Sequence, residues 1–310
     1  MSQIREHWSS KLGFIFAAIG SAIGLGVLWK FPYTVGNYGG GLFLLTYIFC
    51  IIVIGVPVMI GELILGRLSQ RAAVGAFEVL SPHHPNWKIT GWLGVISSFL
   101  IMSFYSIIAG WGMSYILMSL TGFYQKGFSS DLSAVFDNLA GSGSITVFWH
   151  FLFTLVTMMI VLSGVRKGIE YWSKIMTRAL FVILLILFLL CTSMDGFHKA
   201  IQFIFSINTQ TFDVTSVLEA LGLAFFTLSL GQGIMISYGS YMSKEEHIPQ
   251  LSFIVAISVV IVAILAALTI FTVTFSFGLP PQQGSGLIFK TLPYLFAKLP
   301  GAMVISTVFF

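Results

Sequence analysis

Gly20-Ser21-Ala22-Ile23-Gly24-Leu25-Gly26 stands in the middle of the first long apolar run, Leu12 to Trp29, which carries no charge. A run of that length can cross a hydrocarbon layer about 30 Å thick. The three glycines at its centre work against a helix, each costing up to about 1 kcal/mol of propensity. In lipid, every peptide group freed by a break must find a partner inside the protein. Such a span is expected to be a discontinuous helix whose bare N–H and C=O groups hold a solute and an ion.

Composition bounds the class. Of 310 residues, 57% are hydrophobic and 8% charged, with a mean hydropathy of +0.96. A soluble domain carries about a quarter charged residues. The chain therefore reads as a polytopic helical membrane protein, because the alternating strands of a barrel do not give continuous apolar runs. Cys50 and Cys191 both fall within such runs and are expected to be free, buried thiols. Arg5, Glu6 and His7 lead straight into a long span with no small-residue cleavage site, unlike a cleavable signal. No nucleophile–base constellation, phosphate loop or dinucleotide fingerprint occurs, so no enzyme activity is expected. No basic patch points to nucleic acid. The expected surroundings are a lipid bilayer and a small-molecule solute.

Spans are expected near 11–38, 41–69, 88–120, 144–164, 168–192, 213–243 and 248–278. The connections 70–87, 165–167 and 244–247 then share a side with the N-terminus. With the flanking helix ends, that side holds Arg5, Lys11, Arg67, Arg71, Lys88, Arg166, Lys167, Lys174, Arg178 and Lys244. The other side holds Lys30, Lys126, Lys199, Lys290 and Lys298. Ten basic residues against five put the N-terminus in the cytoplasm and the chain in the cell's inner (cytoplasmic) membrane. The connections 121–143, 193–212 and 279–299 then face outward. After Pro300-Gly301 the run Ala302 to Phe310 makes about half a span, so the sequence reads as a fragment or the product of a truncated gene.

The sixth span repeats the oddity of the first. Phe225-Phe226-Thr227-Leu228-Ser229-Leu230-Gly231-Gln232-Gly233 sets hydroxyls and glycines at mid-membrane depth. Interrupted spans five helices apart predict two repeats: residues 1–192 with spans one to five, and residues 193–310 with spans six, seven and the start of the eighth. An odd number of spans per repeat makes their topologies inverted, a pattern of secondary transporters. A zwitterion beside a cation would use both the N–H and the C=O groups of such breaks.

Other motifs agree. Arg5-Glu6-His7-Trp8, Lys30-Phe31-Pro32-Tyr33, Asn37 with Gly39-Gly40-Gly41, and Gly55-Val56-Pro57 through Glu62 and Gly66-Arg67 accompany the broken stretch of the first span. They are followed by Ser103-Phe104-Tyr105-Ser106, Ala109-Gly110-Trp111 and the run Phe225 to Gly233. Taken together, the chain resembles the bacterial branch of the neurotransmitter:sodium symporter family along its whole length. The resemblance implies an all-α membrane protein of the leucine-transporter-like inverted-repeat fold, with its second repeat incomplete. It implies a substrate carboxylate met by the backbone around Gly24, Leu25 and Gly26 and by the Tyr105 hydroxyl. The amine would meet carbonyls of Ala22, Phe226 and Thr227, with Ser229 nearby. Ile101, Tyr105, Phe226, Ser229 and Gln232 would shape the side-chain pocket. Gly20 and Ile23 would lend carbonyls to a second sodium site, and Ala22 and Thr227 to a first. Gating would fall to Arg5, Trp8 and Tyr241 inside and to Lys30 and the Phe226 lid outside.

The departures matter as much. Val27 and Val259 stand where the family places sodium-ligating amides or an acid. A cation wanting about six oxygens loses two side-chain donors there. Leu223 and Ala263 likewise remove polar groups from the family's chloride or acid site, although Tyr47 remains. Lys30 replaces an arginine, keeping the charge without the bidentate fork.

Glu62 is read as the carboxylate deep in a span, and burying it there costs roughly 3 kcal/mol unless it is partnered. Its expected role is structural, bracing the unwound backbone. Gly39-Gly40-Gly41 reads as a tight turn and His83-His84 as a solvated pair, without the further ligands a metal needs. The expected function is sodium-coupled symport of an amino acid or similar small zwitterion by alternating access, with Na⁺ as the one cofactor and no organic group. The alternatives are a truncated, non-transporting chain or half needing a partner, and a proton-driven amino acid permease. The sequence names neither the amino acid nor an oligomeric state.

Overall fold

The computed structural model describes residues 6–24, 26–122, 132–279, 287–299 and 301–310. Its first span is broken. Helix α1 (Lys11–Ala22) opens at Ser10, whose hydroxyl accepts the Gly13 N–H at 3.0 Å, and stops where Ile23 leaves helical geometry at φ −91°, ψ 65°. The chain resumes as a π-helical turn, Gly26–Lys30, and then α2 (Phe31–Asn37). The two halves are bent by 47°. Gly20 and Ser21 thus lie inside α1, and the interruption is narrower than the glycine pattern predicts.

Gly39 and Gly40 turn the chain with φ of 95° and 57°, the left-handed region glycine enters without a Cβ penalty. Helix α3 (Gly41–Cys50), a π-helical turn at Ile51–Gly55 and α4 (Val56–Ser69) then run as one span. A short α5 (Ala73–Leu80) leads to the long α6 (Lys88–Leu120). Helices α7 (Leu132–Gly141) and α8 (Gly143–Leu162) follow. No residue of α8 is buried, as expected of a rib facing lipid. The expected connection at 165–167 is instead the start of a π-helical turn, Val165–Glu170, continuous with α9 (Tyr171–Cys191). The turn residue Gly164, at φ 86°, lets the chain double back within a few residues.

Helix α10 (Phe197–Phe205) lies in the connection before α11 (Val214–Thr227), which opens on a capping box between Asp213 and Ser216. The second break follows. Ser229, Gly231 and Gly233 all have positive φ, at 55°, 74° and 73°, and α12 (Ile234–Gly239) begins only after them. For the serine this is an uncommon conformation, held by the contacts described below. The central α13 (Ile248–Ser276) is buried along most of its length, and α14 (Leu287–Lys298) and α15 (Ala302–Phe309) complete the described helices. Five described segments are long and apolar enough to cross a membrane, and the bent first pair makes a sixth. The two halves α11 and α12 occupy the expected sixth span.

The inner half-helix is fastened by close backbone approach. A Cβ on Gly239 would run into the Leu63 carbonyl, 2.8 Å from Leu63 Cα, and one on Gly66 would meet the Ile236 carbonyl. Between helices in lipid such small-residue contacts supply the packing that water-driven burial cannot. Cys50 and Cys191 are buried free thiols. We expect Gly239→Ala to lower the thermal midpoint in detergent by roughly 3 °C or more, the shift about 1 kcal/mol of overpacking produces in a chain of this size. Gly222→Ala, at a position with nothing within 4 Å, should leave the midpoint unchanged or raise it.

Candidate functional site

The two breaks face one another. The Ser229 hydroxyl donates to the Ser21 carbonyl at 3.2 Å and lies 3.1 Å from the Ser21 hydroxyl. Among the described residues no backbone N–H reaches the carbonyls of Gly20 or Ala22, and no backbone carbonyl takes the N–H of Gly24 or Gly26. The Gly24 carbonyl, by contrast, is taken by Val27 and Leu28 at 3.1 and 3.2 Å. Bare acceptors thus sit at the end of α1, and bare donors lie within the next few residues.

The glycines of this break are required by what lies over them. A Cβ on Gly24 would collide with the Tyr105 hydroxyl, and one on Gly26 would lie 2.5 Å from Phe226 Cε1. The Tyr105 hydroxyl of α6 and the Phe226 ring of α11 therefore lie against the backbone of the first break. Ile101 is half-buried one turn before Tyr105 on the same face of α6. The Lys30 ammonium stands 5.7 Å from the centre of the Phe226 ring, a cation–π contact on the side of the site away from Trp8. Gln232 enters by its main chain, its carbonyl accepting from the Ser98 hydroxyl at 3.0 Å. Leu25 and Arg5 lie outside the described residues.

Two groups brace the second break from behind. Glu62 of α4 accepts the Gly231 N–H at 2.7 Å through Oε1, while its buried Oε2 has no hydrogen-bond partner among the described residues. The Thr227 hydroxyl donates to the Leu223 carbonyl at 2.8 Å. Its proton spent there, it accepts from the Tyr47 hydroxyl at 2.9 Å. Beside this pair the surroundings are dry: Val27, Val259, Ala263 and Leu223 are all fully buried aliphatics. Carbonyls of Ala22 and Thr227 with two valines do not make an oxygen cage, so the residues present do not fit a cation at the first site. The Gly20 carbonyl takes no backbone N–H among the described residues, and Ile23 follows it at the end of α1.

On the N-terminal side the segment before α1 seals the bundle. Trp8 donates its backbone N–H to the Tyr241 carbonyl and its indole N–H to the Tyr238 carbonyl, both at 3.1 Å, and packs edge-on against both tyrosine rings. Sequence reasoning missed the second clasp. Glu170, 1% exposed, accepts the Ser9 N–H at 2.9 Å, bonds the Ser9 hydroxyl, and pairs with Lys174 at 2.6 Å. Among the described residues, Glu62 is therefore one of two buried carboxylates within the spans. The spacing of Glu170 to Lys174 was a readable i,i+4 ion pair, but nothing local connects either to Ser9.

Broken spans that turn bare donors and acceptors toward each other inside an apolar bundle are the architecture of a secondary transporter. Comparison with known proteins narrows this. The profile of the Sodium:neurotransmitter symporter family matches residues 5–126 and 122–310, and the chain belongs to that family. The uncharacterized sodium-dependent transporter YhdH of Bacillus subtilis is 39% identical over 294 residues, 95% of this chain and 65% of that protein. An uncharacterized sodium-dependent transporter of Haemophilus influenzae is 31% identical over 315 residues, covering 99% and 69%. The crystal structure of MhsT in complex with L-phenylalanine matches with a TM-score of 0.93 at 40% identity, over 98% of this chain and 69% of that one. The chain shares its leucine-transporter-like fold. It spans about two thirds of the length of these relatives.

Glu62→Ala leaves the Gly231 N–H without its acceptor, a loss worth about 1–3 kcal/mol in a buried setting. We expect a lower thermal midpoint and faster deuterium uptake across residues 228–233 in that variant. Glu62→Gln keeps a carbonyl oxygen at the same place and should behave close to the parent in both measurements.

Proposed function

We propose that this chain carries out the membrane-crossing step of a sodium-coupled symport of an amino acid or similar zwitterion, by alternating access. The observation that carries the reading is the meeting of Gly24, Gly26, Tyr105 and Phe226 at the first break, beside the serine-linked second break. The substrate carboxylate takes the N–H groups of Gly24, Leu25 and Gly26 and the Tyr105 hydroxyl. The amine takes the carbonyls of Ala22, Phe226 and Thr227, with Ser229 alongside. Ile101, Tyr105, Phe226, Ser229 and Gln232 face the substrate side chain. Support for an amino acid substrate comes from MhsT, crystallised with L-phenylalanine.

Sodium enters as a second cargo. Gly20 and Ile23 supply carbonyls to the second site, and Val27 with Val259 withholds oxygens from the first, so one Na⁺ accompanies each substrate. Because Na⁺ and substrate draw on one short stretch of backbone, each raises the affinity of the other. Phe226 and Lys30 close the outer side; Trp8 and Tyr241, with Arg5, close the inner. Residues 1–192 and 193–310 act as two inverted repeats that move against each other, the first holding the glycine break and the second the serine-glycine break. The ten-to-five excess of basic residues supports a cytoplasmic N-terminus in the inner membrane.

In reconstituted vesicles, amino acid uptake should rise with external Na⁺ along a simple saturation curve with a Hill coefficient near one. A steep second-order dependence contradicts the single-sodium stoichiometry. Uptake driven by a pH step in sodium-free buffer contradicts sodium coupling itself. Tyr105→Phe should weaken substrate binding by about tenfold, the worth of one hydrogen bond to a carboxylate.

A further inference from the structure

We propose that a cavity at the inner end of α4 binds the phosphate of an anionic phospholipid from the leaflet on the N-terminal side. The cavity measures about 700 Å³ and lies between the last turn of α4 and the segment that follows α12. Arg67, Gln70, Ser243, Lys244 and His7 offer it polar groups, and Leu68 forms one wall. No carboxylate lines it, although Glu245 and Glu246 follow in the chain.

Among the described residues its basic side chains form no ion pair. Arg67 donates through Nη1 to the main-chain carbonyl of Glu246 at 2.8 Å, which leaves the rest of the guanidinium fork available. The ion pairs among the described residues are Lys88–Glu78, Lys174–Glu170 and Lys290–Asp137, so neither Arg67 nor Lys244 has a carboxylate partner there. A guanidinium fork and an ammonium converging on one cavity suit a phosphodiester, the fork bonding two of its oxygens.

The wall selects the source of that phosphate. Leu68 is 66% exposed at the end of the span Gly41–Ser69, which sets an uncovered apolar side chain beside the two charges. A free phosphate ion would use the two charges and gain nothing from Leu68, whereas a phospholipid uses both. Basic pockets at the ends of spans on the cytoplasmic side are suited to such headgroups. The cavity also touches the clasp before α1, since His7 Nδ1 lies 3.3 Å from the Tyr241 carbonyl. A headgroup held by Arg67 and Lys244 would pin that segment onto α12. The binding claim stands independently of the transport reading.

The test uses the full chain purified in nonionic detergent, titrated with phosphatidylglycerol, phosphatidylcholine or inorganic phosphate and followed by native mass spectrometry. We expect phosphatidylglycerol to be retained in preference to phosphatidylcholine, and its affinity to drop about fivefold in Lys244→Gln and more in Lys244→Glu. Among the described residues the Lys244 side chain makes no hydrogen bond, so these variants keep the parent's stability, checked by their thermal midpoint. Arg67→Gln should add a further loss. Equal retention of both lipids, or unchanged phosphatidylglycerol affinity in Lys244→Glu, overturns the proposal. Displacement of the lipid by millimolar inorganic phosphate overturns it too, assigning the cavity to a soluble anion.

Discussion

A peptide group without a partner is costlier in a membrane than anywhere else, and this fold creates several at one depth. Two helices that could have run unbroken stop after Ala22 and Thr227 and restart at Gly26 and Ile234. What happens to the freed groups organises the rest of the molecule. The protein satisfies some of them itself: Ser229 reaches the Ser21 carbonyl, Glu62 receives the Gly231 N–H, and Gly24 takes two donors from the next turn. Among the described residues, no backbone partner takes the carbonyls of Gly20 and Ala22 or the N–H groups of Gly24 and Gly26. The division is chemically sorted, with hard oxygens before the break and donors after it.

The surroundings of the breaks refine this. Tyr47, Thr227 and Leu223 form a hydrogen-bond chain in which the Tyr47 and Thr227 hydroxyl protons both find acceptors. Val27, Val259 and Ala263 then fill the adjoining space with buried methyl groups. An apolar core there stiffens the contact of α1, α11 and α13 without asking for an ion to complete it. The cost of moving a cation into such a place has no return in ligands. Lys30 holds its charge against the face of Phe226, an electrostatic contact that needs no carboxylate.

Much of this was legible in the sequence because the constraints act locally. Glycines cannot hide at mid-span, so residues 20–26 and 229–233 announced both breaks, and long apolar runs with few or no charges announced the helices. Glu62 was readable as a brace because an acid in lipid must be answered. The contacts that escaped are those joining distant segments. Ser9 and Glu170 are 161 residues apart, and neither carries a local sign of the other. The connecting helices α7, α10 and α14 were hidden in stretches marked as loops, where short amphipathic patterns such as Ala200 and Ile204 acquire meaning only once α13 gives them a surface. The π-helical turn at Val165–Glu170 was missed for a similar reason: Arg166 and Lys167 looked like a charged connection, while Glu6 takes the Val165 N–H and Arg166 donates to the His7 carbonyl.

The central claim is that the open peptide groups of both breaks grip one zwitterion together with its cation. Hydrogen–deuterium exchange of the full chain, with and without a mixture of the amino acids in NaCl, reads those groups directly. Protection should rise in the peptides covering residues 20–28 and 225–234 together, and only when amino acid and Na⁺ are both present. Amides at the two breaks that exchange as slowly as their helical neighbours in the free protein, or that ignore both ligands, would contradict it.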